Sequence, residues 1–178
     1  MPEAESDPRV PPLALAEVEA DLPWLKARAA RAGWGWTFDP ETLTLNVKFT
    51  RDTSNETYLL RGVFDQFRSL PPIWDFVDLD IGEVGTRSAY PKQVGSTDNP
   101  NRIAPIFIES GTKGQLICLP CNRLAYRELD PRAPHGDWQL VNWTQLDPKY
   151  PTVEEMVSRI AQDIQLSKGR WAPRPSAG

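Results

Sequence analysis

Two cysteines and one histidine limit the side chains of this chain that can do nucleophilic or acid–base work near neutrality. Cys118 closes the run Gly114-Gln115-Leu116-Ile117-Cys118-Leu119, where an apolar strand-like stretch meets a segment rich in chain breakers. A thiol there stands where backbone order ends and solvent begins, the place from which a cysteine nucleophile can meet a large substrate. Taken alone, Cys118 also fits a small buried hydrophobe at a strand end; its neighbouring motifs favour the nucleophile. Cys121 completes a CxxC, Cys118-Leu119-Pro120-Cys121, which admits thiol–disulfide chemistry if a helix follows. A zinc site would need two more ligands, yet His135 is the only histidine and no second CxxC exists. Two cysteines so close together cannot build a disulfide framework.

These residues must be positioned by the elements around them. Leu15, Val18, Leu22 and Leu25 recur at helical steps, although Pro23 falls inside the pattern. Either the helix bends at Pro23 or Asp21 caps a second helix running to about Ala32, with Gly33 as the stop. Residues 42–49 alternate polar and apolar types, residues 52–55 make a turn, and residues 56–64 form a second strand with Tyr58, Leu60 and Val63 facing inward. Pro71-Pro72 breaks the chain before a third alternating run, residues 73–78. Residues 79–102 read as a long loop, 103–109 as a short apolar strand and 116–119 as the cysteine-bearing strand end. Pro151-Thr152-Val153-Glu154-Glu155 is a capping box. Beyond it Val153, Met156, Val157, Ile160 and Ile164 mark the apolar face of a helix reaching about Ser167, with Lys168-Gly169 as its stop.

Composition bounds the rest. A chain of 178 residues with 40% hydrophobic and 25% charged content fits one globular domain with a real core. Residues 1–12 and 172–178 read as tails, leaving 13–171 as the domain. A net charge of −4 without a basic run argues against phosphate-neutralising nucleic-acid binding. No stretch is long and apolar enough for a bilayer, and the acidic N-terminus is unlike a secretory signal, so the expected compartment is the cytoplasm. Most of the seven tryptophans are expected to be core or cap.

The α+β order of helix, antiparallel meander, paired prolines, irregular cysteine segment and closing helix resembles the ubiquitin-conjugating (E2) family. Three stretches carry the resemblance. Phe64-Asp65-Gln66-Phe67-Arg68-Ser69-Leu70-Pro71-Pro72 is similar to the family's aromatic and paired-proline stretch. Residues 114–119 are similar to its glycine, spacer, isoleucine, cysteine, leucine signature. Trp138 or Trp143, followed by Pro151-Thr152 and an amphipathic helix, is similar to its tryptophan and closing helix. The family's His-Pro-Asn motif is absent: the region before the cysteine reads Pro105-Ile106-Phe107-Ile108-Glu109-Ser110, and the Asn-Pro-Asn at residues 99–101 lies further upstream. The span from Cys118 to Trp138 is also longer than usual, which suggests a divergent bacterial type of the kind encoded in antiviral defence operons.

The resemblance implies that Cys118 takes a ubiquitin-like modifier from an activating (E1-like) enzyme as a thioester and passes it to an amine on a protein target. It implies no metal or organic cofactor. Both acyl transfers pass through an oxyanion that needs a hydrogen-bond donor; Asn122, or backbone amides near Cys118, would replace the missing asparagine. His135, in a loop bounded by proline and glycine, is the expected base, and Asp137 could orient or deprotonate the amine; each also fits a surface turn residue. Lys26, Arg28 and Arg31 on the first helix would meet the activating enzyme, or form a solvated face. The rival readings are a catalytically inactive E2 variant that binds a ubiquitin-like protein and a CxxC thiol–disulfide oxidoreductase.

Overall fold

The computed structural model describes residues 12–92, 106–109, 114–133, 135–146 and 152–171. It is an α+β protein with an N-terminal helix, a four-stranded antiparallel sheet and a C-terminal helix. The tails and the Asn-Pro-Asn at 99–101 lie outside the described residues, except that Pro12 already belongs to the first helix.

Helix α1, Pro12–Ala32, runs without interruption through Pro23. The proline sits on the solvent side, where water can meet the carbonyl it leaves unpaired. Ala14, Val18, Leu25 and Ala29 form the buried seam, with Leu15 and Leu22 flanking it. Asp21 therefore caps no second helix. Its carboxylate accepts the Val153 N–H at 2.9 Å and an Arg68 N–H at 2.9 Å, joining α1 to the closing helix. Burial raises the Asp21 pKa despite those two donors. Gly33, at φ +70°, ends α1 as a side chain could not without strain, and Trp34 N–H reaches back to the Ala29 carbonyl at 3.0 Å.

Strands β1 (Gly35–Asp39), β2 (Thr44–Thr50), β3 (Thr57–Val63) and β4 (Ile73–Val77) pair in chain order as a meander. The sequence pattern misses β1. This strand is half-buried on one side and exposed on the other, so its alternation is too shallow to stand out between Gly33 and Pro40. In β3 the inward residues are Tyr58, Leu60 and Gly62, and the expectation for Val63 is corrected: it lies on the alternate parity and is only half-buried. Gly62 pairs with Trp74, and a Cβ at Gly62 would stand 2.5 Å from the indole ring. The glycine makes room for the largest buried side chain of the sheet.

After the short helix α2, Trp143–Leu146, helix α3, Val153–Leu166, completes the layer. Thr152 and Glu155 make both bonds of the capping box, and Val153, Met156, Val157, Ile160 and Ile164 are all buried. They join Val18, Leu25, Val47, Phe49, Leu60 and Phe76 in one core between the helices and the sheet. Beyond α3, Gly169 turns the chain at φ +87°, and residues 168–171 run beside 90–92, with Lys92 N–H donating to the Gly169 carbonyl at 2.6 Å and Lys168 N–H to Lys92 at 3.1 Å.

Candidate functional site

Cys118 stands at the end of a two-stranded antiparallel ribbon, β5 (Phe107–Ile108) with β6 (Leu116–Ile117). Its N–H donates to the Ile106 carbonyl at 2.7 Å. The next residues leave the strand at once: Leu119 N–H bonds the Ile117 carbonyl at 3.2 Å, and Asn122 N–H closes a turn on Leu119 at 2.9 Å. Pro120 suits that turn because its ring presets φ and it has no N–H to satisfy. The thiol is half-buried, and burial pushes its pKa up to about 11. At neutral pH it is therefore a thiol rather than a thiolate.

Asn122 is fully buried and works as a strut. Its carbonyl oxygen accepts from Trp74 N–H at 3.0 Å and Leu124 N–H at 3.3 Å. Its amide donates to the Ile117 carbonyl at 2.8 Å and the Trp74 carbonyl at 3.2 Å. One side chain thus ties β4 to β6 and caps the single turn Arg123–Ala125. Both amide hydrogens are committed, so in this arrangement Asn122 has no donor to offer an oxyanion. The backbone N–H groups of Cys118, Leu119 and Asn122 are engaged as well.

Two residues that carry no motif signal complete the frame. Arg123 donates from its backbone to the Pro72 carbonyl at 2.9 Å and from Nε to the Pro71 carbonyl at 3.0 Å, and its guanidinium pairs with Asp65 at 2.6 Å. This fastens the cysteine loop to the double-proline corner. Tyr126, also buried, donates its hydroxyl to the Pro120 carbonyl at 2.7 Å. Only tertiary placement could reveal either role, because the partners are backbone carbonyls, which sequence does not distinguish, and for Arg123 a carboxylate far away in the chain.

His135 joins this frame at its edge. Its ring stacks on Trp138 with centroids 4.0 Å apart and planes 5° from parallel, and Trp138 packs edge-on against Tyr126 at 5.7 Å. The link from His135 to the cysteine loop thus runs through two rings and the Pro120 carbonyl. Among the described residues no hydrogen bond joins His135 to Cys118. Asp137 is exposed and lines a shallow cavity of about 450 Å³ with Arg127, Arg132 and Gly136.

The three basic residues of α1 lie elsewhere. Lys26 and Arg31 are exposed, while Arg28 stands 3.7 Å from Glu154 of α3 and 5.5 Å from the Trp34 ring. Cys121 is buried in the core. The element after the CxxC is a single turn of 3-10 helix, too short to supply the N-terminal dipole that activates redox thiols. Among the described residues no group of three His, Cys, Asp or Glu side chains could hold a metal ion, and no helix is long and apolar enough to cross a membrane. Comparison with protein-family models, with curated proteins and with solved structures found no match for this chain.

Proposed function

We propose that this chain is a ubiquitin-conjugating-like protein of the E2 type, which accepts a ubiquitin-like modifier from an activating enzyme as a thioester on Cys118 and transfers it to an amine. The observation that carries the reading is the placement of Cys118: a half-buried thiol at the mouth of a turn, braced from behind by β4 through Asn122 and by the double-proline corner through Arg123. The order of helix, meander, double-proline corner, cysteine ribbon and closing helix supports it. Burial holds the Cys118 thiol protonated near neutral pH, so in this reading its proton must leave as the thioester is presented. His135 is the one side chain of the frame whose ordinary pKa lies near neutrality, and in this reading it takes the proton of the incoming amine.

A second reading is an inactive variant that binds a ubiquitin-like protein without forming a thioester. The commitment of both Asn122 amide hydrogens to backbone carbonyls favours it. The test is a non-reducing gel of the protein with ATP and its cognate activating enzyme and modifier. Wild type, Cys118→Ala, Cys121→Ala and His135→Ala are compared. A thiol-sensitive adduct lost only with Cys118→Ala is the expected result. No adduct in any lane, with modifier binding retained, would select the inactive module.

A further inference from the structure

Opposed residues in a hydrogen-bonded antiparallel pair exchange two bonds, each N–H going to the other's carbonyl. The pairs Phe107–Ile117 and Ile108–Leu116 make Ile106 the next partner of Cys118. Only half of that exchange is made. Cys118 N–H donates to the Ile106 carbonyl at 2.7 Å, whereas the Ile106 N–H is given to the carboxylate of Asp163 on α3. Asp163 is 8% exposed, and its Oδ2 lies 3.1 Å from Nε of Arg159, one helical turn earlier.

We propose that Asp163 is a positioning residue for Cys118: by taking the Ile106 amide it ends the ribbon's ladder at the cysteine and sets where the thiol-bearing loop begins. The inference rests on the reading of Cys118 as a thioester acceptor. Were the Ile106 N–H to bond the Cys118 carbonyl instead, the ribbon would gain a full rung. Cys118 and Leu119 would then be drawn into extended pairing and away from the turn that closes on Asn122. The carboxylate prevents this by competing for the one donor the rung requires. Its position is also energetically unfavourable for a charge. Burial pushes the Asp163 pKa up to about 6, outweighing the opposing effects of Arg159 and of the Ile106 amide. An apolar side chain would pack there at less cost between Ile160 and Ile164, so what the carboxylate supplies is geometry. Among the described residues the charged group acting on Asp163 is Arg159 from its own helix. From the ribbon it meets only an uncharged amide, and Arg28 of α1 is turned to Glu154.

The full chain is tested in two arms. In the first, backbone amide resonances are followed by NMR from about pH 5 to about pH 8, the range that brackets a buried carboxyl of this kind. Ile106 and Cys118 are expected to shift with one shared midpoint. Both steps should survive His135→Gln, which removes the one histidine of the chain, and both should vanish in Asp163→Asn. A step at Ile106 without one at Cys118, or no step at either, would overturn the proposal. Should Asp163→Asn fail to fold, the shared step in His135→Gln decides alone. In the second arm, Asp163→Ala is expected to slow thioester loading about tenfold in kcat with KM unchanged, the effect of a misplaced reacting group. Asp163→Asn, whose oxygen can still accept the Ile106 amide, should retain the rate. Equal loading by wild type and Asp163→Ala would overturn the proposal. If wild type forms no thioester, the conjugation reading fails while the amide titration still decides the positioning.

Discussion

The sheet-and-helix layer and the cysteine frame are held together by different means. In the layer, order comes from many similar contributions: ladder bonds from β1 to β4, an apolar face on each helix and a shared core. In the frame, the ribbon is only two pairs long, and much of the rest is fixed by single residues that satisfy backbone groups of neighbouring turns and strands. Asn122 serves Trp74, Ile117 and Leu124; Arg123 serves Pro71 and Pro72; Tyr126 serves Pro120. A layer can lose one contributor and relax around it, because its neighbours act in the same direction. A frame of single struts has no such redundancy. Each lost strut leaves buried backbone groups unpaired and releases the segment that carries the thiol.

That contrast predicts a ranking of effects. Asn122→Ala should be the most damaging, costing about 4 kcal/mol in urea unfolding, since two buried carbonyls and a buried N–H lose their partners at once. A loss below about 1 kcal/mol would mean that water replaces the strut and that the frame is less specific than the contrast requires. Next is reactivity. At neutral pH, Cys118 should alkylate about a hundredfold more slowly than an exposed cysteine, its rate rising with pH and showing no plateau below about pH 10. The sign follows from the raised pKa: the thiolate fraction grows until pH passes about 11. In a destabilised but folded Asn122 variant that rate should increase, whereas an unchanged rate would separate the strut from the thiol's environment. Gly62→Ala probes the layer and should cost about 2 kcal/mol, because the new methyl meets the Trp74 ring and forces it to shift. The Cys118 alkylation rate should not move with it; a parallel change would erase the distinction between the two regions. The smallest effect is expected for Thr152→Ala, about 1 kcal/mol in thermal or urea unfolding, from loss of one capping partner at α3.

The same contrast explains what could be read in advance. The capping box of α3 and its buried face, the Gly33 stop, the turn after β2 and the inward Tyr58 and Leu60 were all legible, because each depends on neighbours in sequence or on a period. Strand β1 was not legible because its burial is shallow on one side and absent on the other. Pro23 misled because its cost depends on which side of the helix it occupies, and on the solvent side α1 continues through it. Asp21 is a cap, but for the first turn of α3 rather than for its own chain segment.

For the candidate site, sequence alone determined which residue could be the nucleophile, since Cys118 ends an apolar run ahead of chain breakers, and it determined the class of elements around it. Tertiary structure decided what surrounds the thiol. It turned Asn122 from a possible donor into a brace, set His135 on Trp138 at the edge of the frame, and brought Asp163 from the closing helix to the last rung before Cys118. The physical reason is range. Helix faces, caps and turns are set by neighbours a few residues apart, whereas a buried carbonyl or amide takes whatever donor or acceptor the packed layers bring to it.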